Sequence, residues 1–285
     1  MTARALAVRD CAINTATLGF RQGLPETIDA VARAGFGGIA PWRRELQNES
    51  VASAARRIRE SGLTVTGYCR STYIPAPDRA AFLAGLEDNR RAIDEAAELG
   101  AACFVMVVGG LPEGSRSLSD ARAQLADGTR ILLDHARTVG VRLGLEPLHP
   151  MYAADRSVLN TLGQALDLAA AIEPSPQGPP SLGVVIDAYH VWWDPDLEAG
   201  IARAGHDRRI FAFHLSDWRR ETRDMLNDRA MMGDGVIDLR SIRRTVQAAG
   251  YTGHAEVEIF STLDWWRRAP EETLATCARR LVDVC

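Results

Sequence analysis

Six times along this chain an amphipathic segment ends at a glycine, and a run of β-forming residues follows. Glycine just past a helix end adopts the left-handed conformation that closes the helix, after which a strand can begin. The six junctions are Ala34-Gly35-Phe36, Ser61-Gly62-Leu63, Leu99-Gly100-Ala101, Val139-Gly140-Val141, Ala204-Gly205-His206 and Ala249-Gly250-Tyr251. Their recurrence at intervals of a few tens of residues predicts successive β/α units.

The apolar runs between these junctions predict eight strands, separated by helical patterns. They lie at about 9–17, 36–42, 63–70, 102–109, 141–148, 182–190, 210–217 and 253–259. A chain of 285 residues with eight such units and no break in composition is typical of a (β/α)8 TIM barrel. An open doubly wound sheet would need a glycine-rich phosphate turn, and Gly109-Gly110 lacks that pattern. We therefore predict an α/β fold with one barrel domain over residues 1–285.

Charge and composition exclude several classes of protein. The net charge of −4 gives no electrostatic attraction to nucleic acid or to anionic membranes. No apolar run approaches the roughly 20 residues needed to span a bilayer, and residues 1–10 carry too much charge for a signal-peptide core. The five cysteines form no Cys-x-x-Cys pair and are expected to be reduced. We predict a cytoplasmic protein.

Four of the predicted strands end in a side chain that can bind a metal ion: Glu146, Asp187, His214 and Glu258. The carboxyl ends of parallel strands in a β/α fold all point to one face, where active sites are built. Three carboxylates and one imidazole there predict a site for a divalent cation. Glu256 precedes Glu258 by two residues and shares its strand face, but Glu258 is preferred because it lies nearer the mouth.

Each of these residues also has a structural interpretation. Glu146 could pair with an arginine at the rim of the barrel. Asp187 could cap a helix, but the next helix is predicted to begin near Asp194-Pro195. A lone histidine such as His214 is more often a core residue than a ligand. The common position of all four at strand ends favours the metal site.

Other polar and aromatic side chains near the mouth have two interpretations each. Trp42 could stack on a sugar ring or cap the barrel, and Arg70 could bind a substrate oxygen or neutralise a rim carboxylate. His149 could be an acid–base group or a loop residue. Asp217 could bind the substrate or orient a ligand histidine, whereas Asn14 is expected to be a polar group inside the barrel.

The order of these residues resembles the xylose-isomerase-like sugar isomerase/epimerase superfamily, which includes tagatose-type 3-epimerases, hydroxypyruvate isomerase and inosose dehydratase. The residues that carry the resemblance are Glu146, Asp187 with His190, His214 with Asp217, Gly233-Asp234-Gly235 and Glu258. It implies one Mn²⁺ ion, with Co²⁺ or Mg²⁺ as alternatives, bound by Glu146, Asp187, His214 and Glu258. It further implies that the two glutamates exchange protons with the substrate from opposite sides.

The resemblance also assigns substrate contacts. His190 matches a histidine that touches a substrate oxygen, and Arg229 matches an arginine that reaches the substrate. The loop 218–232 is longer than in typical epimerases of the superfamily and carries Met231-Met232 where a proline is common. Because Arg229 lies in this loop, the difference affects its match to the substrate-binding arginine of the superfamily.

The chemistry of such a site points to proton transfer next to a carbonyl. A cation that binds two vicinal oxygens makes the neighbouring C–H more acidic and stabilises the enediolate. Two carboxylates on opposite sides of the carbon would give an epimerase, and one that moves the proton between carbons would give an isomerase. A lyase or dehydratase is the alternative, with His149 or His190 as acid. An endonuclease IV-like nuclease and a non-catalytic sugar-binding barrel are weaker candidates. The sequence leaves a homodimer and a homotetramer both open.

Overall fold

The computed structural model describes residues 6–47, 49–174 and 178–285. These residues contain nine short strands, all paired in parallel in one sheet. In chain order, β1 to β9 are Cys11–Asn14, Gly38–Ala40, Thr64–Val65, Tyr68–Cys69, Phe104–Met106, Leu143–Leu145, Leu182–Asp187, Ile210–Leu215 and Ala255–Val257. The first five residues, on which part of the prediction about a signal peptide rests, lie outside the described residues.

The strand order closes the sheet into a nearly complete barrel. The sheet runs β3-β2-β1-β9-β8-β7-β6-β5-β4, and a parallel bridge between Trp42 and Cys69 joins its two ends. β3 and β4 are the two halves of the predicted third strand, interrupted at Thr66 and Gly67. The prediction of a (β/α)8 barrel is therefore confirmed, with its third strand split in two.

Helices cover the outside of the barrel. In chain order, α1 to α9 are Leu24–Arg33, Val51–Glu60, Arg79–Leu99, Leu118–Val139, Leu162–Ile172, Ala188–Val191, Leu197–His206, Leu239–Ala248 and Pro270–Asp283. Short 3-10 helices are Val8–Asp10, Thr15–Leu18, Arg43–Leu46, Pro150–Tyr152 and Trp265–Arg267. Apolar side chains such as Ile28, Ile58 and Ile93 are buried against the sheet, so the main core lies between helices and strands.

The observed strands are shorter than the apolar runs that predict them. The run predicted at 9–17 contains only β1, because 3-10 helices precede and follow it. The Asn14 side chain accepts a hydrogen bond from the backbone of Ala16 and so begins the second of these helices. Apolar periodicity does not distinguish a strand end from a tight buried turn, so the boundaries were predicted too wide.

The junction predicted at Gly205 is wrong. Gly205 lies inside α7, which continues to His206. A Cβ atom at Gly205 would lie 2.2 Å from the carbonyl oxygen of Ala249, so glycine there permits close packing of this helix against the end of α8. By contrast, Gly100 and Gly140 adopt left-handed conformations just past α3 and α4, as predicted.

The helices of the described residues are too short or too polar to cross a membrane.

Candidate metal centre

Four predicted side chains converge at the carboxyl end of the barrel. Glu146 follows β6, Asp187 ends β7, His214 lies in β8 and Glu258 follows β9. In the sheet register Asp187 stands directly beside His214. All four residues are buried, and one donor atom from each lies within 4.8 Å of the others. The parallel strands thus bring together residues from Glu146 to Glu258, which are far apart in the sequence.

Two members of this cluster, Glu146 and His214, have buried atoms that lack hydrogen bonds. His214 Nδ1 lies 3.1 Å from Glu146 Oε1 and 3.7 Å from Glu258 Oε2. Nevertheless, Glu146 Oε1 and both ring nitrogens of His214 are buried without a hydrogen-bond partner among the described residues. Buried polar atoms without partners are costly. A cation would satisfy Glu146 Oε1 and one ring nitrogen of His214, and a set of three carboxylates and one imidazole suits a divalent ion such as Mn²⁺.

Burial and neighbouring charges shift the pKa values of Glu146 and Asp187 in opposite directions. Burial raises the pKa of Glu146 to about 7, partly offset by the nearby His214. Burial also acts to raise the pKa of Asp187, but Arg229 and the two neighbouring histidines outweigh it and bring that pKa to about 2. Asp187 is therefore a permanent anion, whereas Glu146 can hold or release a proton near neutral pH.

Asp187 is also a helix cap, contrary to the sequence prediction. Its Oδ1 accepts a hydrogen bond of 2.9 Å from the backbone of Tyr189, which begins helix α6 at Ala188. The prediction that the next helix begins near Asp194 is wrong for α6, although α7 does begin at Leu197. The cap fixes the carboxylate, and its second oxygen Oδ2 faces the cluster.

Arg229 enters the cluster from the loop after β8. Its Nη1 lies 2.8 Å from Asp187 Oδ2 and 3.2 Å from Glu258 Oε2. The guanidinium is buried between the rings of Tyr189 and Phe260, at 4.4 and 5.1 Å from their centres. The longer loop therefore still delivers this arginine to the site.

His190 lies beside Arg229. The arginine Nη2 is 3.1 Å from His190 Nε2, and because a guanidinium can only donate, Nε2 must accept. Burial lowers the pKa of His190 to about 3, with Asp187 opposing the shift. This residue is therefore a neutral imidazole held in place by a charged neighbour.

The aromatic and polar residues of the mouth surround the cluster at different levels. Trp42 packs edge-on against Phe260, and His149 stacks on Trp218 with ring centres 5.0 Å apart. Arg70 packs over the ring of Tyr73 and donates to a backbone carbonyl, and within the described residues it pairs with no carboxylate. The structure therefore does not support the interpretation that Arg70 neutralises a carboxylate at the rim of the barrel.

Asp217 has a different role from the one predicted. Its two oxygens accept hydrogen bonds of 2.8 to 3.0 Å from the backbone of Trp218, Gly233, Gly235 and Ile237. With both oxygens occupied, the carboxylate anchors the loop and does not orient His214. A sequence pattern does not show which partners a carboxylate finds, and a contact of Asp217 with the substrate stays a prediction.

Sequence reasoning assigned no role to Glu256, which lies directly beneath His214. Its Oε1 lies 3.3 Å from His214 Nε2 and accepts a hydrogen bond of 2.9 Å from Asn14. Its Oε2 accepts one of 2.6 Å from Thr66. The two-residue spacing from Glu258 indicated the inward direction, but the contacts with Asn14 and Thr66 are visible only in the folded barrel.

Fold and site together define a (β/α)8 barrel with a carboxylate- and histidine-lined centre at its C-terminal mouth. The chain belongs to the xylose isomerase-like TIM barrel family, whose model matches residues 28–278. The resemblance found in the sequence is thereby confirmed.

Several known proteins are similar to this chain. The crystal structure of protein SMc04130 from Sinorhizobium meliloti 1021 is 50% identical, with a TM-score of 0.93 and coverage of 98% of this chain and 99% of that one. A 3-dehydroshikimate dehydratase from Pseudomonas aeruginosa is 29% identical over 90% of this chain, which spans only 38% of that protein. L-ribulose-5-phosphate 3-epimerase UlaE from Salmonella paratyphi C is 28% identical, over 86% of this chain and 79% of its own length. The relatives thus include both epimerases and dehydratases.

Proposed function

We propose that the protein is a divalent-metal-dependent isomerase or epimerase. Its substrate would be a small ketose, keto-sugar or cyclitol, from which it removes a proton next to the carbonyl. The observation that carries the proposal is the convergence of Glu146, Asp187, His214 and Glu258, whose donor atoms lie within 4.8 Å of one another. The similarity to a sugar-phosphate 3-epimerase supports the same reaction class.

These four residues would hold the cation. When bound, it would supply Lewis-acid stabilisation of the negative charge that develops on the substrate oxygens. Mn²⁺ is the predicted ion, with Co²⁺ and Mg²⁺ as alternatives. The cytoplasmic location and the dimeric or tetrameric state also stay predictions.

The two glutamates are suited to transfer protons. Glu146 has its pKa raised by burial to about 7, so it can take a proton and return it near neutral pH. Glu258 approaches His214 Nδ1 as well, at 3.7 Å, but from the neighbouring strand on the other side. A substrate carbon between the two carboxylates would be deprotonated on one face and reprotonated on the other.

Neutral and cationic groups beside the carboxylates would orient the substrate. His190 is uncharged and can exchange hydrogen bonds with a hydroxyl group, while Arg229 offers fixed donors that remain charged at every pH. Trp42 and His149 lie farther out, where an aromatic ring and an imidazole can contact the remainder of a sugar.

A dehydratase is the second candidate. It is favoured by the 29% identity to a 3-dehydroshikimate dehydratase over 90% of this chain. The same proton abstraction would then be followed by loss of a β-hydroxyl group as water. His149, half-buried against Trp218, is the candidate acid for the departing oxygen.

The test is isotope exchange in D₂O with Mn²⁺ and a panel of ketoses, keto-glycosides, inososes and 3-dehydroshikimate. An epimerase or isomerase incorporates deuterium at the reacting carbon and yields an isomer detectable by NMR. A dehydratase yields an unsaturated product. Chelation should abolish turnover, and added Mn²⁺ should restore it.

The variants Glu146→Gln and Glu258→Gln should each lower turnover by about 10²-fold or more, since each removes a proton-transfer group. Glu45→Gln is the matched control, because Glu45 is a largely buried glutamate bonded to Thr15 and not to the cluster. Full turnover after chelation, or with both glutamates replaced, would contradict the proposal.

A further inference from the structure

Glu256 is a carboxylate enclosed in the barrel directly beneath the proposed metal site. Glu256 is only 1% exposed, and it lies opposite His214 in the register of β8 and β9. A buried acidic side chain is costly unless other groups compensate it. The contacts around this one therefore indicate what it does.

Two hydrogen bonds fix the position of Glu256. Asn14 from β1 donates to Oε1 at 2.9 Å, and Thr66, between β3 and β4, donates to Oε2 at 2.6 Å. Asn14 is itself fixed, because its Oδ1 accepts a hydrogen bond of 2.6 Å from Trp42 Nε1. The carboxylate thus has a defined orientation, which leaves Oε1 facing the imidazole of His214 at 3.3 Å.

The ring of His214 lies between carboxylates on both sides. Nε2 faces Glu256, while Nδ1 faces Glu146 at 3.1 Å and Glu258 at 3.7 Å. A neutral imidazole has one N–H group and one lone pair, and it can ligate a metal only through the nitrogen that lacks the proton. A ring that binds a cation through Nδ1 would therefore hold its one proton on Nε2, the nitrogen that faces Glu256.

We infer that Glu256 is a positioning residue that keeps the proton of His214 on Nε2 and directs the Nδ1 lone pair into the site. A carboxylate beside the outer nitrogen of a ligating histidine fixes the ring and its tautomer in this way. Without Glu256, the carboxylates near Nδ1 would favour the tautomer that cannot ligate. The inference rests on the proposed function, since it presupposes that His214 binds a cation.

The experiment compares the wild-type protein with Glu256→Gln and, as matched control, Glu45→Gln. Mn²⁺ affinity is measured by calorimetry, and the environment of the His214 Nε2–H group is followed by ¹H and ¹⁵N NMR of the Zn²⁺-loaded protein. Removing such an outer partner costs about 10–100-fold in metal affinity. We expect that loss for Glu256→Gln, with the Nε2–H proton signal moved upfield because its carboxylate acceptor is gone, and an affinity within about threefold of wild type for Glu45→Gln.

The outcomes separate the two proposals. If the wild-type protein binds no Mn²⁺, the proposed function and this inference both fail. If it binds Mn²⁺ and Glu256→Gln binds it equally well, only the inference is overturned. An unchanged Nε2–H signal with weakened affinity also overturns it, because a loss of charge alone would produce that result.

If Glu256→Gln does not fold, Thr66→Val provides the test, because it frees the carboxylate from one donor and retains its charge. A measurable loss of Mn²⁺ affinity in Thr66→Val supports the inference. Unchanged Mn²⁺ affinity in Thr66→Val contradicts it.

Discussion

Arg229 Nη1 lies 2.8 Å from Asp187 Oδ2, so a buried guanidinium is paired with a carboxylate that is proposed to bind a cation. The same Nη1 is 3.2 Å from Glu258 Oε2. The arginine thereby offsets part of the negative charge that a divalent ion would otherwise neutralise alone. Arginine and metal ion compete for the same two carboxylates.

We predict that Arg229→Met destabilises the metal-free protein and strengthens metal binding. Removing one partner of a buried ion pair costs about 3–5 kcal/mol, because the remaining charge is left uncompensated. Mn²⁺ should then bind about tenfold more tightly by calorimetry, since it meets carboxylates without a competing cation. Arg219→Met is the control, because Arg219 pairs with Asp228 and Asp264 outside the cluster. Weaker Mn²⁺ binding in Arg229→Met than in this control would contradict the competition.

Asp217 should be essential for the loop that carries Arg229. We predict that Asp217→Ala lowers the free energy of unfolding by about 3 kcal/mol, because several hydrogen bonds to a buried carboxylate are lost together. Urea denaturation measures this, and limited trypsin digestion should cleave first at Arg219 or Arg220. Asp224→Ala in the same loop removes a comparable but exposed cap and should cost less than about 1 kcal/mol. Equal effects of the two substitutions would argue against the anchoring role.

Asp88 should contribute stability that depends on pH. Its hydrogen bonds from Arg43 hold its pKa well below the usual range, and Thr72 and Arg91 add to this effect against partial burial. A carboxyl group whose pKa is lower in the folded protein stabilises the fold at pH values above its unfolded pKa of about 3.9. That stability is lost as the pH falls through the folded-state pKa.

We therefore predict that Asp88→Asn costs about 1 kcal/mol at pH 7 and progressively less below pH 4. Urea denaturation of both proteins at pH 7 and pH 3 measures the difference. Asp127→Asn, at an exposed ion pair with Arg130, should change little at either pH. A gap of the same size at pH 7 and pH 3 would exclude the electrostatic explanation.

The five thiols should be unreactive in the folded protein. All are free and buried, and burial raises the pKa of Cys11, Cys103 and Cys285 to about 12. At pH 8 Ellman's reagent should therefore modify none within minutes, and all five after unfolding in guanidinium. One rapidly reacting thiol that disappears in Cys285→Ser would show that the C-terminal residue is accessible in solution.

The sequence predicted the barrel and the main cluster because both follow from local patterns. Apolar runs that end in Glu146, Asp187, His214 and Glu258 place these residues at strand ends, and parallel strands bring such ends to one mouth. The split third strand was not predictable, because an interruption at Thr66 and Gly67 does not alter the apolar pattern.

The partners of each carboxylate were the least predictable feature. Asp187 caps a helix, Asp217 binds four backbone amides, and Glu256 contacts Asn14, Thr66 and His214. Hydrogen bonds of this kind join residues from distant parts of the chain. A single sequence has no local signal that distinguishes an anchoring carboxylate from a ligand.

The sequence by itself therefore determined the architecture, the mouth at which chemistry is expected, and the residue types that converge there, because strand and helix periodicity are local properties. Only the tertiary structure decided that Arg229 reaches Asp187, that Asp217 holds the loop, and that Glu256 lies beneath His214. Each of these contacts depends on strand register and on the path of the loop over the mouth, which are fixed by the packing of the whole barrel.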